Sequence, residues 1–509
     1  MTNTITTYSR ENGGRVLILF LLFLLAIFQL INAGFSSFAI ICLLPITIPI
    51  IYIAFSWKMA IFWFLFFTNY FIQFFNKNQL LPHGIPMSLY NELLEIILLA
   101  IVIIDQRYYT HFERILNLMF LAILIWCGFC TIELFNDTCD LGINLGNWYT
   151  GARMMAFQIL YAFLVCILFI TCPDSLNKYL KLWACLCIFS FIWTWKQQHI
   201  GFTPAESIWM ETRGRTTHIL NGGTLIRYFS TFNDAASYGC NAAASGVAFF
   251  IFAITSKIKM DRYFYFATAI LITWGMFASG TRTSIFCMIA GFIVFLVLSK
   301  SIRIIIPSAI IGGFLLALLI FTNIGQGNQQ IRRMRSAFNK NDASANVRDI
   351  NKAAIRKYIV DAPWGIGIGS GYENIPANNK FRKLSTIPPD SEYVYIWVHT
   401  GPIGLTVFIL TTILMLLGAC CIVFFRLKNR SLIGIGAGLC SAFVAIHVGG
   451  YANGILLGFP NCFLFYGGLA IVYTLPFIEP SWIELENKRF AEQEEKKRIK
   501  LENKFASRV

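Results

Sequence analysis

The sequence predicts an all-α polytopic membrane protein with about fourteen transmembrane helices and one large extracytoplasmic loop. Three observations carry that expectation. Of 509 residues, 57% are hydrophobic and 13% charged, and the mean hydropathy is +0.63. That leaves too little polar surface to wrap the several soluble domains such a length would otherwise suggest. Apolar runs recur from Val16 to Phe477, and at about 20 residues per crossing they fill over half the chain. The short loops between them are basic in alternation, the pattern of cytoplasmic loops. A soluble enzyme is excluded.

Taken in order with an inside N-terminus (Arg10, Arg15), the expected spans are Val16 to Ala33, Phe38 to Phe55, Met59 to Phe75, Leu89 to Ile104, Ile115 to Phe135, Met154 to Thr171 and Tyr179 to Trp195. They continue with Ala235 to Ile254, Tyr263 to Ala278, Thr283 to Leu298, Ile304 to Thr322, Pro402 to Phe425, Leu432 to Gly449 and Cys462 to Phe477. Inside loops then hold Lys58; Arg107 and Arg114; Lys178; Lys257, Lys259 and Arg262; Lys300 and Arg303; and Arg426, Lys428 and Arg430. The first run is itself long enough to span, so no cleavable signal peptide is needed. This divides the chain into a membrane domain, 1–478, and a charged cytoplasmic tail, 479–509, whose Glu484 to Lys504 run reads as a solvated helix with i,i+4 pairs. Most of the fourteen cysteines sit in apolar runs, including the Cys127/Cys130 pair, and read as packing residues rather than a disulfide or metal framework.

Two outer segments stand out by length, 196–234 and 323–390. The second holds 11 Lys and Arg against 5 Asp and Glu, a net of +6, which runs against the positive-inside trend. Long loops translocate regardless of charge, so the topology survives and the charge asks for a purpose. A basic surface on anionic lipid is one purpose; a site for a phosphate or pyrophosphate held by arginine forks is the sharper one. Within it, Val347, Ile350, Ala354, Ile355 and Tyr358 recur near helical spacing, which predicts an amphipathic helix over 343–359 lying on the membrane surface.

Individual residues narrow the site. In RYFSTFNDAASYG, Asp234 reads first as a helix cap, whereas Arg227 has no nearby acid except Asp234. Arg282 in SGTRTSIF stands at the outer end of a span, where topology gives an arginine no role; snorkelling to head groups is the alternative. The glycines after Pro363 do not fit a dinucleotide fingerprint and suit a close backbone turn against the membrane face. Arg356 and Gly367 stand in an Arg, ten residues, Gly spacing that chance alone also supplies. Asp390 and Glu392 lie where the long loop re-enters the bilayer. Asp390 reads as a helix cap or as a general base raised by its low-dielectric edge. His399 reads as a packing residue, and Glu92 and Glu95 carry no assignment.

The order of these segments resembles the O-antigen ligase and polymerase superfamily of bacterial integral membrane glycosyltransferases. The resemblance covers roughly residues 200–425. It rests on Arg227 with Phe232 and Asn233; on Ser279 to Ser284; on Arg348 through Pro363 to Gly369; and on Asp390, Ser391, Tyr393, Gly401, Gly404 and Leu405. It implies a GT-C-like helical fold and metal-independent transfer from an undecaprenyl-diphosphate-linked glycan, without a cofactor. Arg227, Arg282, Arg348 and Arg356 would hold the pyrophosphate, and Asp390, or failing it Glu392, would act as base. The ligase branch usually begins its re-entry motif with His-Asn. Here it begins Asp390-Ser391, which with the span count points to polymerisation of repeat units in O-antigen or capsule synthesis. Ligase transfer to lipid A-core or to protein is the alternative, and a lipid-oligosaccharide flippase is the alternative of another class. The expected partners are the lipid-linked glycan, membrane lipid and a chain-length regulator, with no nucleic acid. The expected location is the inner membrane, with both termini cytoplasmic and the site on the outer face.

Overall fold

The computed structural model describes residues 55–506, apart from 79, 81–86, 106–110, 221–222, 224, 301, 323–326, 339–342, 370 and 372–374, together with residues 21, 24 and 25. The first two expected spans, Arg10, Arg15 and Arg107 thus fall wholly or almost wholly outside the described residues. By internal contacts the chain divides into two units, 1–64 and 65–509. The described part of the first is a few helical positions and the opening turns of α1 (Lys58–Lys77). The second holds the rest of α1 and every element after it.

This second unit is helical almost throughout. After α1 come α2 (Met87–Ile104), α3 (Leu118–Ile132), α4 (Leu145–Phe169, with one wide turn at Arg153–Phe157) and α5 (Pro173–His199). The segment 200–234 holds two short helices, α6 (Pro204–Trp209) and α7 (Arg215–His218), and a short hairpin that pairs Ile219 with Ile226 and Leu220 with Leu225. Beyond it lie α8 (Ala235–Thr255), α9 (Lys259–Ala278), α10 (Thr283–Leu298), α11 (Ile302–Phe321), α12 (Gln329–Arg335), α13 (Ala343–Ile359), α14 (Glu392–Cys421), α15 (Arg430–Gly450) and α16 (Gly467–Ala506).

A helix therefore stands at each expected span from Met59 onward, but among the described residues only seven helices are long and apolar enough to cross a bilayer by themselves. The other expected spans among the described residues fall short of that measure for identifiable reasons. Residues 283–298 form an apolar helix of only 16 residues, and α9 opens with the charged turn Lys259, Asp261, Arg262. The composition defines an all-α membrane protein; the number of crossings is a separate matter.

At the centre lies α8, whose AASYGCNAAASG stretch is buried along nearly its whole length. Small side chains let helix backbones approach closely, which is how helices gain packing energy where lipid competes for apolar contacts. α9, α10 and α15 pack around it. Buried amides hold it to the segment after α15: Asn241 donates to Asn461 at 2.7 Å and Asn461 to Ser237 at 3.3 Å.

α14 is two helices joined at a break. Gly401 has φ +64°, ψ −175°, and Pro402 follows, so the expected span at Pro402 begins at the break and a buried piece, 392–400, precedes it. The break frees carbonyls at the end of the first piece, which must find donors. The glycine run supplies them: Ile366 N–H donates to Val398 O (2.9 Å) and Gly367 N–H to His399 O (3.0 Å). The glycines thus serve a backbone-to-backbone crossing rather than a turn against the membrane face, and His399, whose Nδ1 bonds Gly367 O at 3.0 Å, packs inside it.

Two further expectations change. The apolar residues of α13 do not form one exposed face: Ile355 and Ile359 are buried against Phe381, Leu384, Val394 and Val398, while Val347 and Ile350 are exposed. The tail helix is not merely solvated. Glu486 is buried on α16 and accepts from Lys257 (2.8 Å), Asn429 (2.9 Å) and Ser431 (2.5 Å), so the expected boundary at 478 falls inside a single docked helix. The unassigned glutamates lie inside the bundle, where Glu92 pairs with Arg153 (3.1 Å) and accepts from Gln158 (2.7 Å), while both oxygens of buried Glu95 lack a hydrogen-bond partner among the described residues.

Candidate active site

Four separated segments build the site. Asp234 caps α8, accepting from Ala236 N–H (2.7 Å) and Ser237 N–H (2.8 Å), so its carboxylate is spent on the helix. The α9–α10 turn packs beside it, with Gly280 at φ +58°, the left-handed region glycine occupies at little cost. Thr281 ties the two together: its hydroxyl donates to Ala235 O (2.6 Å) and accepts from Arg227 Nη2 (3.0 Å). Arg227 also donates from Nε to Ser279 O (3.3 Å) and from Nη1 to Thr217 O (2.9 Å). Five N–H donors less these three leave two for a ligand. Arg333 on α12 donates to Gly280 O (2.7 Å) from the other side of the same glycine.

These contacts bring Arg227, Arg282, Arg333, Arg348 and Lys352 to the wall of one cavity of about 1070 Å³. Among the described residues no carboxylate lines it. Burial pulls the Arg227 guanidinium below its ordinary pKa; Asp234 opposes this, and the neighbouring charges of Arg282 and Arg348 add to it. Farther in, the wall is apolar, with Phe286 from α10, Ile409, Ile413 and Leu416 from α14, and Phe443, Val444 and Val448 from α15. A cationic mouth above an apolar slot suits an anion carrying a hydrocarbon chain.

The expected site residues divide. Arg227, Arg282 and Arg348 share the cavity, whereas Arg356 is exposed and lines none of it. The reason is helical rise: eight residues beyond Arg348, it stands about 12 Å farther along α13. Asp390 is not the cap of α14, a position taken by Ser391. It lines a smaller adjoining cavity of about 220 Å³, where its Oδ2 accepts from Asn351 Nδ2 at 2.7 Å. Glu392 is buried with its carboxylate on Leu456 N–H (2.9 Å), an anchor for the chain after α15 rather than a group open to ligand. Sequence reasoning missed Arg333, Lys352, His447, Tyr451 and Asn453. Lys352 alone carried a signal, one helical turn from Arg348.

Beneath Arg227 lies a buried histidine. His218 O accepts from Arg227 N–H (2.9 Å), and its Nε2 accepts from Ala235 N–H (3.1 Å) while Nδ1 donates to Gly214 O (3.1 Å). That pattern requires the neutral ring. Burial, then the Arg227 charge, push its pKa down to about 4. Because the unfolded chain binds this proton from about pH 6.5 downward and the folded one only near 4, stability is full above about pH 6.5 and falls as acid approaches 4, by up to about 3 kcal/mol. Thermal unfolding at about pH 5 and about pH 7.5 should show the loss, and a His218→Gln variant should show a smaller pH difference.

Helices long and apolar enough to cross a bilayer make this an integral membrane protein, and they surround a cavity with a cationic mouth and an apolar interior. The O-antigen ligase family model matches residues 267–409, from within α9 to within α14. Over that stretch, 143 of its 509 residues, the chain is similar to the O-antigen ligase family. The matched region takes in the Ser279–Ser284 turn, Arg348, the glycine run and Asp390, and leaves Arg227 outside. None of the curated proteins matches the chain significantly.

Proposed function

We propose that the protein polymerises undecaprenyl-diphosphate-linked oligosaccharide repeat units in surface polysaccharide synthesis. The observation that carries this reading is one cavity whose mouth, among the described residues, holds five cations and no carboxylate, with an apolar slot behind them. In this reading the diphosphate sits among Arg227, Arg282, Arg333, Arg348 and Lys352, and the polyprenyl chain lies between α10, α14 and α15. Preorganised positive charge takes up the charge that develops on the leaving diphosphate. Asp390, fixed by Asn351, takes the proton of the attacking hydroxyl. The reaction inverts the anomeric carbon and uses no metal or cofactor. The family description favours a second reading, ligation of a finished glycan to an acceptor. Lipid-linked glycans of a deletion strain separate the two: single repeats accumulating on lipid support the polymerase, and complete unattached chains the ligase.

The site in this proposal faces away from the cytoplasm in the inner membrane, with fourteen crossings, a GT-C-like arrangement and both termini inside. The short basic loops support that orientation. A cysteine placed at exposed Asn346 on α13 should react with an impermeant reagent added outside the inner membrane. Reaction only after permeabilisation would reverse the orientation.

A further inference from the structure

Beside the large cavity lies the smaller one, of about 220 Å³, and the two share Arg348, Lys352, Ser391, Val394, Tyr451 and Ala452. Their charge differs. Among the described residues the large cavity has five cations and no carboxylate, whereas in the small one Arg348 and Lys352 stand against Asp349 and Asp390. A balanced, hydrogen-bonding wall does not select an anion. It suits a neutral, many-hydroxyl ligand, and the volume suits one sugar ring rather than a chain.

The polar groups are arranged accordingly. Asn351 donates to Oδ2 of Asp390, and Oδ1 has no hydrogen-bond partner among the described residues. One carboxylate oxygen is thus fixed while the other can accept a hydroxyl proton. Tyr451 stands at the junction, 65% exposed, and Lys352 Nζ lies 5.1 Å from the centre of its ring. An exposed aromatic face beside carboxylate and amide groups offers what a sugar needs, a flat apolar surface for its C–H face and partners for its hydroxyls.

We infer that the small cavity is the acceptor subsite, which holds the terminal sugar ring of the accepting glycan with one hydroxyl on Asp390. The inference rests on the proposed transfer from a lipid diphosphate. The step balances within the two cavities. The hydroxyl oxygen bonds to the anomeric carbon of the donor sugar, and the bond from that carbon to the diphosphate oxygen breaks. The electron pair leaves with the diphosphate, and the hydroxyl proton passes to Asp390. Ser391 and Val394, common to both walls, mark where the two sugars meet.

The test uses full-length protein in phospholipid nanodiscs, with lipid-linked repeat units extracted from the host envelope as donor and the same repeat freed of lipid by mild acid as acceptor. Asn351→Leu removes the amide that fixes Asp390, and Pro388→Trp fills the small cavity from an exposed position; both residues line that cavity alone. Each variant should raise the acceptor KM by about tenfold or more while undecaprenyl diphosphate binds within about twofold of wild type. Retained diphosphate binding also reports that the variant is folded. An unchanged acceptor KM in both variants would overturn the assignment. So would a parallel loss of diphosphate binding, which would make the small cavity part of the donor site. Failure of the wild-type protein itself to bind undecaprenyl diphosphate would instead remove the donor reading and this inference with it.

Discussion

Arg282→Ala should lower glycan transfer by about 100-fold or more, the scale of about 2.7 to 4 kcal/mol for a lost preorganised donor, while the protein still accumulates in the membrane. Arg227→Ala should lose at least as much. It should also lose some stability, because three of its N–H groups hold Thr217, Ser279 and Thr281. Lysine should rescue neither well, since a point charge cannot replace a planar fork. In the same assay, Asp390→Asn keeps an oxygen for Asn351 but removes the base, so transfer should fall while undecaprenyl diphosphate binding stays. Normal chain length in strains carrying either arginine variant at wild-type abundance would remove the donor site. A silent Asp390→Asn would remove the base, and Glu392 could not take its place with its carboxylate on Leu456 N–H.

Alanine at Gly401 or Gly365 should abolish folded protein rather than weaken it. Both residues hold positive φ, +64° and +75°, where a side chain is strained. More important, a Cβ on Gly401 would collide with the carbonyl of Pro363, and one on Gly365 with the backbone of His399 and Gly401. Neither partner is the movable end of a side chain. The crossing also satisfies the carbonyls freed at the helix break, so forcing it apart exposes polar backbone in an apolar bundle. Losses above about 4 kcal/mol are reserved for changes of this kind. Size-exclusion profiles of fluorescent fusions would read the result, and monodisperse, wild-type-like protein from Gly401→Ala would contradict it.

The bundle helices were legible because each expected span from Met59 onward is an apolar run closed by charge or by glycine and proline. The break at Gly401 was half legible, since the span was expected to start at Pro402, but nothing local announced the buried helix before it. Arg227 and Arg282 stood out because they fit no topological role. Arg333 was hidden among other basic residues of a long loop, and its bond to Gly280 O and its place on the cavity wall distinguish it. Tyr451 and Asn453 reach the cavity from the end of α15, roughly 60 residues past Asp390, a pairing that only the packing of α14 against α15 creates. Glu486 shows the opposite error. A charge in a charged run was read as solvated, yet it closes a buried set of bonds with Lys257, Asn429 and Ser431.

The one-sided charge that the described residues give the wall of the large cavity has a kinetic consequence for the proposed reaction. The departing undecaprenyl diphosphate carries one more negative charge than the glycosylated donor, and five fixed cations hold the more highly charged species more tightly. Product inhibition results, and turnover is paced by discharge of the spent carrier rather than by bond making. Raising ionic strength, which screens charge at the open mouth more than in the apolar slot, should then speed multiple turnover over a range in which it slows the first one.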